Sequence, residues 1–99
     1  FDFEGLEDVL AKLKGKPVYF TLDLDVLDPS IFPGTGTPEA GGVTFLQLLS
    51  AVRKLSAVKI VGADINELSP PYDASGTSTA VALKILREFL LLLETPYLR

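Results

Sequence analysis

The sequence predicts an α/β protein built on a parallel sheet, and three observations carry that expectation. Helix-like and strand-like periodicities alternate along the chain. The second strand-like run, residues 58–65, is apolar almost throughout, as a strand covered on both faces requires. Both strand-like runs end in acidic residues, and in parallel α/β proteins ligands bind at the carboxyl ends of the strands.

The first helix is read from Leu6, Val9, Leu10 and Leu13, which recur at helical spacing. Asp2, Glu4, Glu7 and Asp8 come early and Lys12 and Lys14 late, as the helix dipole favours. Gly15 and Pro17 then end it. Residues 17–22 form a short buried strand that runs into Asp23, Asp25 and Asp28. Thr44 followed by Gln47 has the form of a capping box, with Val43 placed to staple against Leu48, so a second helix starts near residue 44. Its apolar face is Phe45, Leu48, Leu49, Val52 and Leu55, while Arg53 and Lys54 face water. The second strand begins with Val58 and Lys59 and leads to Asp64, Asn66 and Glu67. A loop with Pro70, Pro71, Tyr72 and Asp73 precedes a long helix over residues 77–94, with Asp73 or Ser75 as its cap. Val81, Ala82, Ile85, Leu86, Phe89 and Leu90 make its wide apolar stripe. Residues 95–99 read as a tail. The strand-helix-strand unit over residues 17–65 is a parallel crossover, which sets both acidic ends on one edge of the sheet.

Two strands do not make a self-sufficient parallel sheet, and composition points the same way. At 99 residues the chain is at most one small domain, yet 47% of it is hydrophobic, which implies surface meant for more protein. It has no Met and opens on Phe1 inside a helix entry, so it reads as a piece of a longer chain. The lack of Cys excludes a disulfide framework and fits a cytoplasmic origin. The leucine run at 90–93 is far too short to span a membrane. A net charge of −4, with nine ungrouped basic residues, argues against nucleic acid.

Asp23 and Asp25 are the first candidates for chemistry. On an extended strand, residues two apart share a face and lie about 6 to 7 Å apart. Carboxylates that close repel unless something positive lies between them, and a metal ion is the natural occupant. An ordinary solvated strand end accounts for the spacing equally well, and Asp28 before Pro29 is a common turn starter. An EF-hand-like loop is not expected, because Leu27 and Asp28 stand where that motif wants an oxygen ligand and then a glycine. Two other readings stay open. One is a haloacid-dehalogenase-type phosphatase, with Thr44 and Lys59 as poor candidates for its further motifs. The other is a non-catalytic metal-binding or interaction module using Asp23, Asp25 and Asp28.

The longer string T-L-D-L-D-V-L-D-P, followed by P-G-T-G-T-P-E-A-G-G, resembles the third signature of the ureohydrolases, the family of arginases and agmatinases. The match covers Asp23, Asp25, Asp28, Pro29, Pro33, Gly34, Thr35, Gly36, Thr37, Pro38, Gly41 and Gly42, with Thr21 where many members have Ser. V-G-A-D-I-N-E-L-S-P resembles the family segment that ends in a guanidinium-binding Glu, and Y-D-A-S-G-T-S-T-A is similar to the family's lead into its last helix.

The resemblance implies a three-layer α/β/α arginase-like fold, of which residues 1–99 are the C-terminal segment of a single domain. It implies that Asp23 and Asp25 ligate a two-manganese centre, that Glu67 receives the substrate guanidinium and that Thr37 lines the pocket. Carboxylate suits a planar cation with forked donors, since two parallel charge-assisted hydrogen bonds fix its orientation. The activity implied is hydrolysis of agmatine or a similar guanidino compound to urea and an amine. The implied partners are that small substrate, the missing N-terminal part of the chain and further copies in a homo-oligomer.

One departure is serious. The family's G-G-D-H and D-A-H-x-D signatures, which supply its His ligands, remaining Asp ligands and proton shuttle, are absent, and the chain has no His at all. No catalytic residue is therefore assigned here, and the chain by itself is expected to be inactive.

Overall fold

A computed structural model describes residues 2–94; the expected tail at 95–99 and the opening at Phe1 lie outside the described residues. The order of elements is α1 (Leu6–Lys12), β1 (Pro17–Asp23), α2 (Phe45–Lys54), β2 (Lys59–Asn66) and α3 (Thr77–Glu94). Short 3₁₀ turns at Leu24–Val26, Leu55–Ala57 and Pro70–Tyr72 join them.

The helix boundaries follow from local chemistry. The Thr44 hydroxyl accepts the Gln47 backbone N–H at 3.1 Å, and the Gln47 side chain accepts the Thr44 N–H at 2.9 Å, which completes the capping box. Val43 and Leu48, the expected staple, are both buried in the core. At α3 both expected caps operate. Asp73 accepts the Ser78 N–H at 2.8 Å, and the Ser75 hydroxyl accepts the Thr77 N–H at 3.1 Å.

β1 and β2 pair in parallel, from Pro17 opposite Lys59 to Asp23 opposite Asn66. The register shifts between Val18 and Tyr19, which leaves Val61 as an extra residue on β2. The Tyr19 ring lies directly over Gly62, where a Cβ would sit 2.8 Å from it. Val18, Phe20, Leu22, Ile60, Ala63 and Ile65 join a core built with Leu10 of α1, Leu48 and Val52 of α2, and Ala82, Ile85 and Phe89 of α3. Phe20 meets Phe89 with ring centroids 5.5 Å apart, and Arg53 on α2 pairs with Glu88 on α3 at 2.9 Å.

Three expectations change. Neither strand is covered on both faces among the described residues, so residues 17–22 are not the buried strand expected: Tyr19 and Thr21 of β1 and Val61 and Asn66 of β2 lie open. Val9 on α1 and Leu86 and Leu90 on α3 are also exposed, so each predicted apolar stripe is wider than the face that packs. β1 moreover stops at Asp23. Leu24 and Leu27 are both fully buried, and a 3₁₀ turn with the Leu27 N–H on the Leu24 carbonyl at 3.0 Å brings them to one side. Asp25 therefore stands in a turn, not two residues along an extended strand.

The long loop after this turn is clamped by Asp28. One carboxylate oxygen accepts the Gly41 and Gly42 N–H groups at 2.9 and 3.2 Å, and the other accepts the backbone and hydroxyl of Ser30. The two ends of the loop also bond directly, Val43 N–H to the Val26 carbonyl at 2.9 Å and Asp28 N–H to the Val43 carbonyl at 3.0 Å. Gly42 is obligatory here, since a Cβ would lie 2.5 to 2.7 Å from backbone atoms of residues 26–28.

The Ser30 hydroxyl, and after it the backbone donors, hold the Asp28 carboxyl down at about 2. A depressed folded-state value means that the clamp's contribution is full above the ordinary value of 3.8 and is lost as pH falls toward 2. In the full-length protein, Asp28→Asn should lower the melting temperature at pH 7, and the gap from wild type should close as pH drops from 5 to 2. Thermal melts across that range check it; a gap independent of pH would show that the charge on Asp28 is not what holds the loop.

Candidate metal and guanidinium site

The parallel register brings the ends of β1 and β2 to one edge of the sheet. Asp23 is the last residue of β1, opposite Asn66, and Glu67 follows Asn66 directly. The loop clamped by Asp28 returns Thr37 to the same edge. The Thr37 hydroxyl donates to Asp25 Oδ2 at 2.7 Å and stands 3.5 Å from Glu67 Oε2. A hydroxyl carries one proton, so the short contact is the hydrogen bond and the long one is proximity. Asp25, Thr37 and Glu67, singled out by the sequence, thus meet across 42 residues of chain.

The carboxylates near this edge divide into two classes. Asp28 uses both oxygens on its loop. Asp64 accepts the Tyr19 hydroxyl at 2.8 Å, the Thr21 hydroxyl at 2.6 Å and the Asn66 amide. The Thr21, Tyr19 and Asn66 bonds, in that order, pull its pKa below the ordinary value, and the bond to Asp64 raises that of Tyr19. Asp73 accepts four donors from Ser75 and Ser78. These three are structural. Asp23, by contrast, makes no side-chain hydrogen bond among the described residues, and Asp25 makes only the one from Thr37.

Glu67 has φ of +80°, the one positive-φ residue other than glycine among those described. A non-glycine residue there is strained, and such strain concentrates at functional sites. The sequence carried no signal of this. The Ser78 hydroxyl, buried beneath the loop and bonded to the Gly34 N–H at 2.8 Å, was also missed. Its partner lies 44 positions away, and no local pattern announces it.

Two hard oxygen donors at Asp23 and Asp25 fit part of a divalent-cation site. They do not make a whole one, since no group of three or more His, Asp or Glu side chains able to hold an ion occurs among the described residues. The phosphatase reading fails on placement. Thr44 is consumed as a helix cap, and Lys59 opens β2 at the end of the sheet away from Asp23. A module using Asp28 as a ligand fails because its acceptor positions are filled by the loop. No described helix is long and apolar enough to cross a membrane.

Comparison with known proteins agrees with this geometry. Residues 3–92 match the arginase family. The chain is 51% identical over 90 residues to an agmatinase of Bacillus subtilis, covering 89% of this chain and 31% of the relative. It is 45% identical over 93 residues to a guanidinopropionase of Pseudomonas aeruginosa, covering 90% of this chain and 29% of the relative. The solved arginase of Bacillus caldovelox superposes with a TM-score of 0.77 at 31% identity, over 94% of this chain and 31% of that one. The chain thus spans about a third of the length of the relatives it matches. By sequence match and by its arginase-like α/β architecture, it belongs to the arginase family.

Proposed function

We propose that the protein containing this chain hydrolyses a guanidino compound, agmatine or a close analogue, to urea and an amine. In this reading the chain is the C-terminal segment of a single catalytic domain. The observation that carries it is the sorting of carboxylates at the sheet edge: Asp28, Asp64 and Asp73 are engaged by the fold, while Asp23, Asp25 and the strained Glu67 remain for a ligand. Similarity to an agmatinase and a guanidinopropionase supports the guanidino substrate class.

Each residue has a physical role. Glu67 accepts two parallel N–H donors from the guanidinium, which fixes the plane of the cation and leaves a face of its carbon open. Thr37 gives its proton to Asp25, so its lone pairs are available to a guanidinium N–H, and the same bond orients the Asp25 carboxylate. Asp23 and Asp25 are the donors this chain contributes to a manganese pair, with the remaining ligands supplied by the rest of the protein. A bound pair of such ions supplies a nucleophilic water at neutral pH. The proton required by the departing amine comes from a group outside this chain.

In the same reading the full enzyme acts in the cytoplasm as a homo-oligomer, on a small substrate and not on nucleic acid or membrane. Exposed apolar side chains such as Leu46, Leu83 and Tyr72 support further protein contacts.

Three expected outcomes test this. In the full-length protein, Asp23→Asn or Asp25→Asn lowers manganese occupancy, and activity falls with it. Glu67→Gln leaves the metal in place but lowers kcat/KM roughly ten- to a hundredfold, as loss of a charge-assisted bond does. Metal analysis beside steady-state kinetics decides it: Glu67→Gln stripping manganese, or Asp25→Asn keeping both ions and full turnover, would overturn the assignments. The isolated 99-residue chain, lacking the other ligands, binds manganese weakly and releases no urea from agmatine. Titration calorimetry and a urea assay check this, and submicromolar binding or metal-dependent urea release would contradict it.

A further inference from the structure

The loop that carries Thr37 rests on a polar relay beneath the proposed pocket. The Gly34 N–H donates to Ser78 Oγ at 2.8 Å, and the Ser78 hydroxyl donates in turn to Asp73 Oδ2 at 2.6 Å. The Ser78 N–H reaches the same oxygen at 2.8 Å, and Ser78 is fully buried. The Asp73 carboxylate therefore dictates where the Ser78 proton points and turns a lone pair of Oγ toward Gly34. On its other side, the Gly34 carbonyl accepts the Ser69 N–H at 2.7 Å.

Gly34 is thus held by two other segments at once. It lies three residues before Thr37, its carbonyl is tied two residues after Glu67, and its N–H is tied to the first turn of α3. The approach is close: a Cβ on Gly34 would lie 2.7 Å from Ser78 Cβ and 2.8 Å from Ser78 Oγ. The donors from Ser75, and after them those from Ser78, hold the Asp73 carboxyl at about 2, so it stays an acceptor throughout the neutral range.

We propose that Asp73 and Ser78 are positioning residues for guanidinium recognition, holding Gly34 so that Thr37 and Glu67 keep their mutual placement. This rests on the reading of Thr37 and Glu67 as substrate-facing residues. Neither Asp73 nor Ser78 touches the substrate. Removing the Ser78 hydroxyl leaves the buried Gly34 N–H without a partner and frees the loop from α3. Replacing Asp73 by Asn sets an amide N–H₂ against donors from Ser75 or Ser78, because a carboxylate accepts on both oxygens and an amide on only one.

The test uses Ser78→Ala and Asp73→Asn in the full-length protein, with two readouts. Hydrogen exchange reads the relay whether or not the protein turns over: both variants should speed exchange in residues 33–38 and 67–69 and leave α2 unchanged. Kinetics read its purpose: at saturating manganese, KM for agmatine should rise roughly tenfold, the loss expected from an unpartnered buried donor, with kcat little altered. Ser78→Ala should add little in a Thr37→Ala background, because both act through one loop. Unchanged exchange in 33–38, or a Ser78→Ala penalty that adds fully to that of Thr37→Ala, overturns the relay. A wild-type protein that releases no urea sinks the functional reading alone, and the exchange result then still decides whether Asp73 and Ser78 hold the loop.

Discussion

Parallel pairing of β1 with β2 is the constraint on which the rest depends. At about 3.3 Å per residue the strands, of 7 and 8 residues, run roughly 23 to 26 Å, so antiparallel pairing would have set Glu67 a full strand length from Asp23. With Asp23 opposite Asn66, the two acidic ends share one edge, and a loop anchored there can return a hydroxyl between them. The α2 crossover enforces the direction. Its capping box starts the helix directly after the loop, and its buried Leu48 and Val52 share one core with Leu22 of β1 and with Ile85 and Phe89 of α3.

Around that edge, acidic residues do two kinds of work, and hydrogen bonding separates them. Asp28, Asp64 and Asp73 are braces. Each gathers several donors, each is held below its ordinary pKa, and each fixes one piece of backbone: the long loop, the strand pair and the start of α3. Asp23, Asp25 and Glu67 carry no such load, and in the proposed function they are the carboxylates that meet metal and substrate. A loop rich in Gly and Pro is ordered only because such braces hold it, since the conformational entropy of its backbone opposes any fixed shape. Gly42 and Gly34 add to this by letting the loop lie directly on backbone at one end and on Ser78 at the other.

Much of this was legible in the sequence where the determinant is local. Thr44 with Gln47 marked the start of α2, and Asp73 and Ser75 marked the lead into α3, because a cap and the amide it satisfies lie within a few residues. The acidic ends of the strands were legible from the order of residues, and their meeting followed from the crossover. What escaped is set by tertiary contacts. The 3₁₀ turn at Leu24–Val26 wins over an extended strand because it buries both Leu24 and Leu27. The register shift at Val61, the left-handed backbone of Glu67 and the bond from Gly34 to Ser78 have no short-range signature. Apolar periodicity over-counted the packed faces of α1 and α3, since it reports which residues are able to be buried and not which ones meet a partner.

In the proposed function this edge divides its carboxylates between bracing and binding, with Asp23 and Asp25 on the metal side. Anomalous diffraction at the manganese absorption edge, from crystals of the full-length protein grown with the metal, distinguishes the two groups. Peaks are expected in contact with the carboxylates of Asp23 and Asp25 and none at Asp28, Asp64, Asp73 or Glu67. A peak on one of the bracing carboxylates, or none beside Asp23 and Asp25, would contradict it.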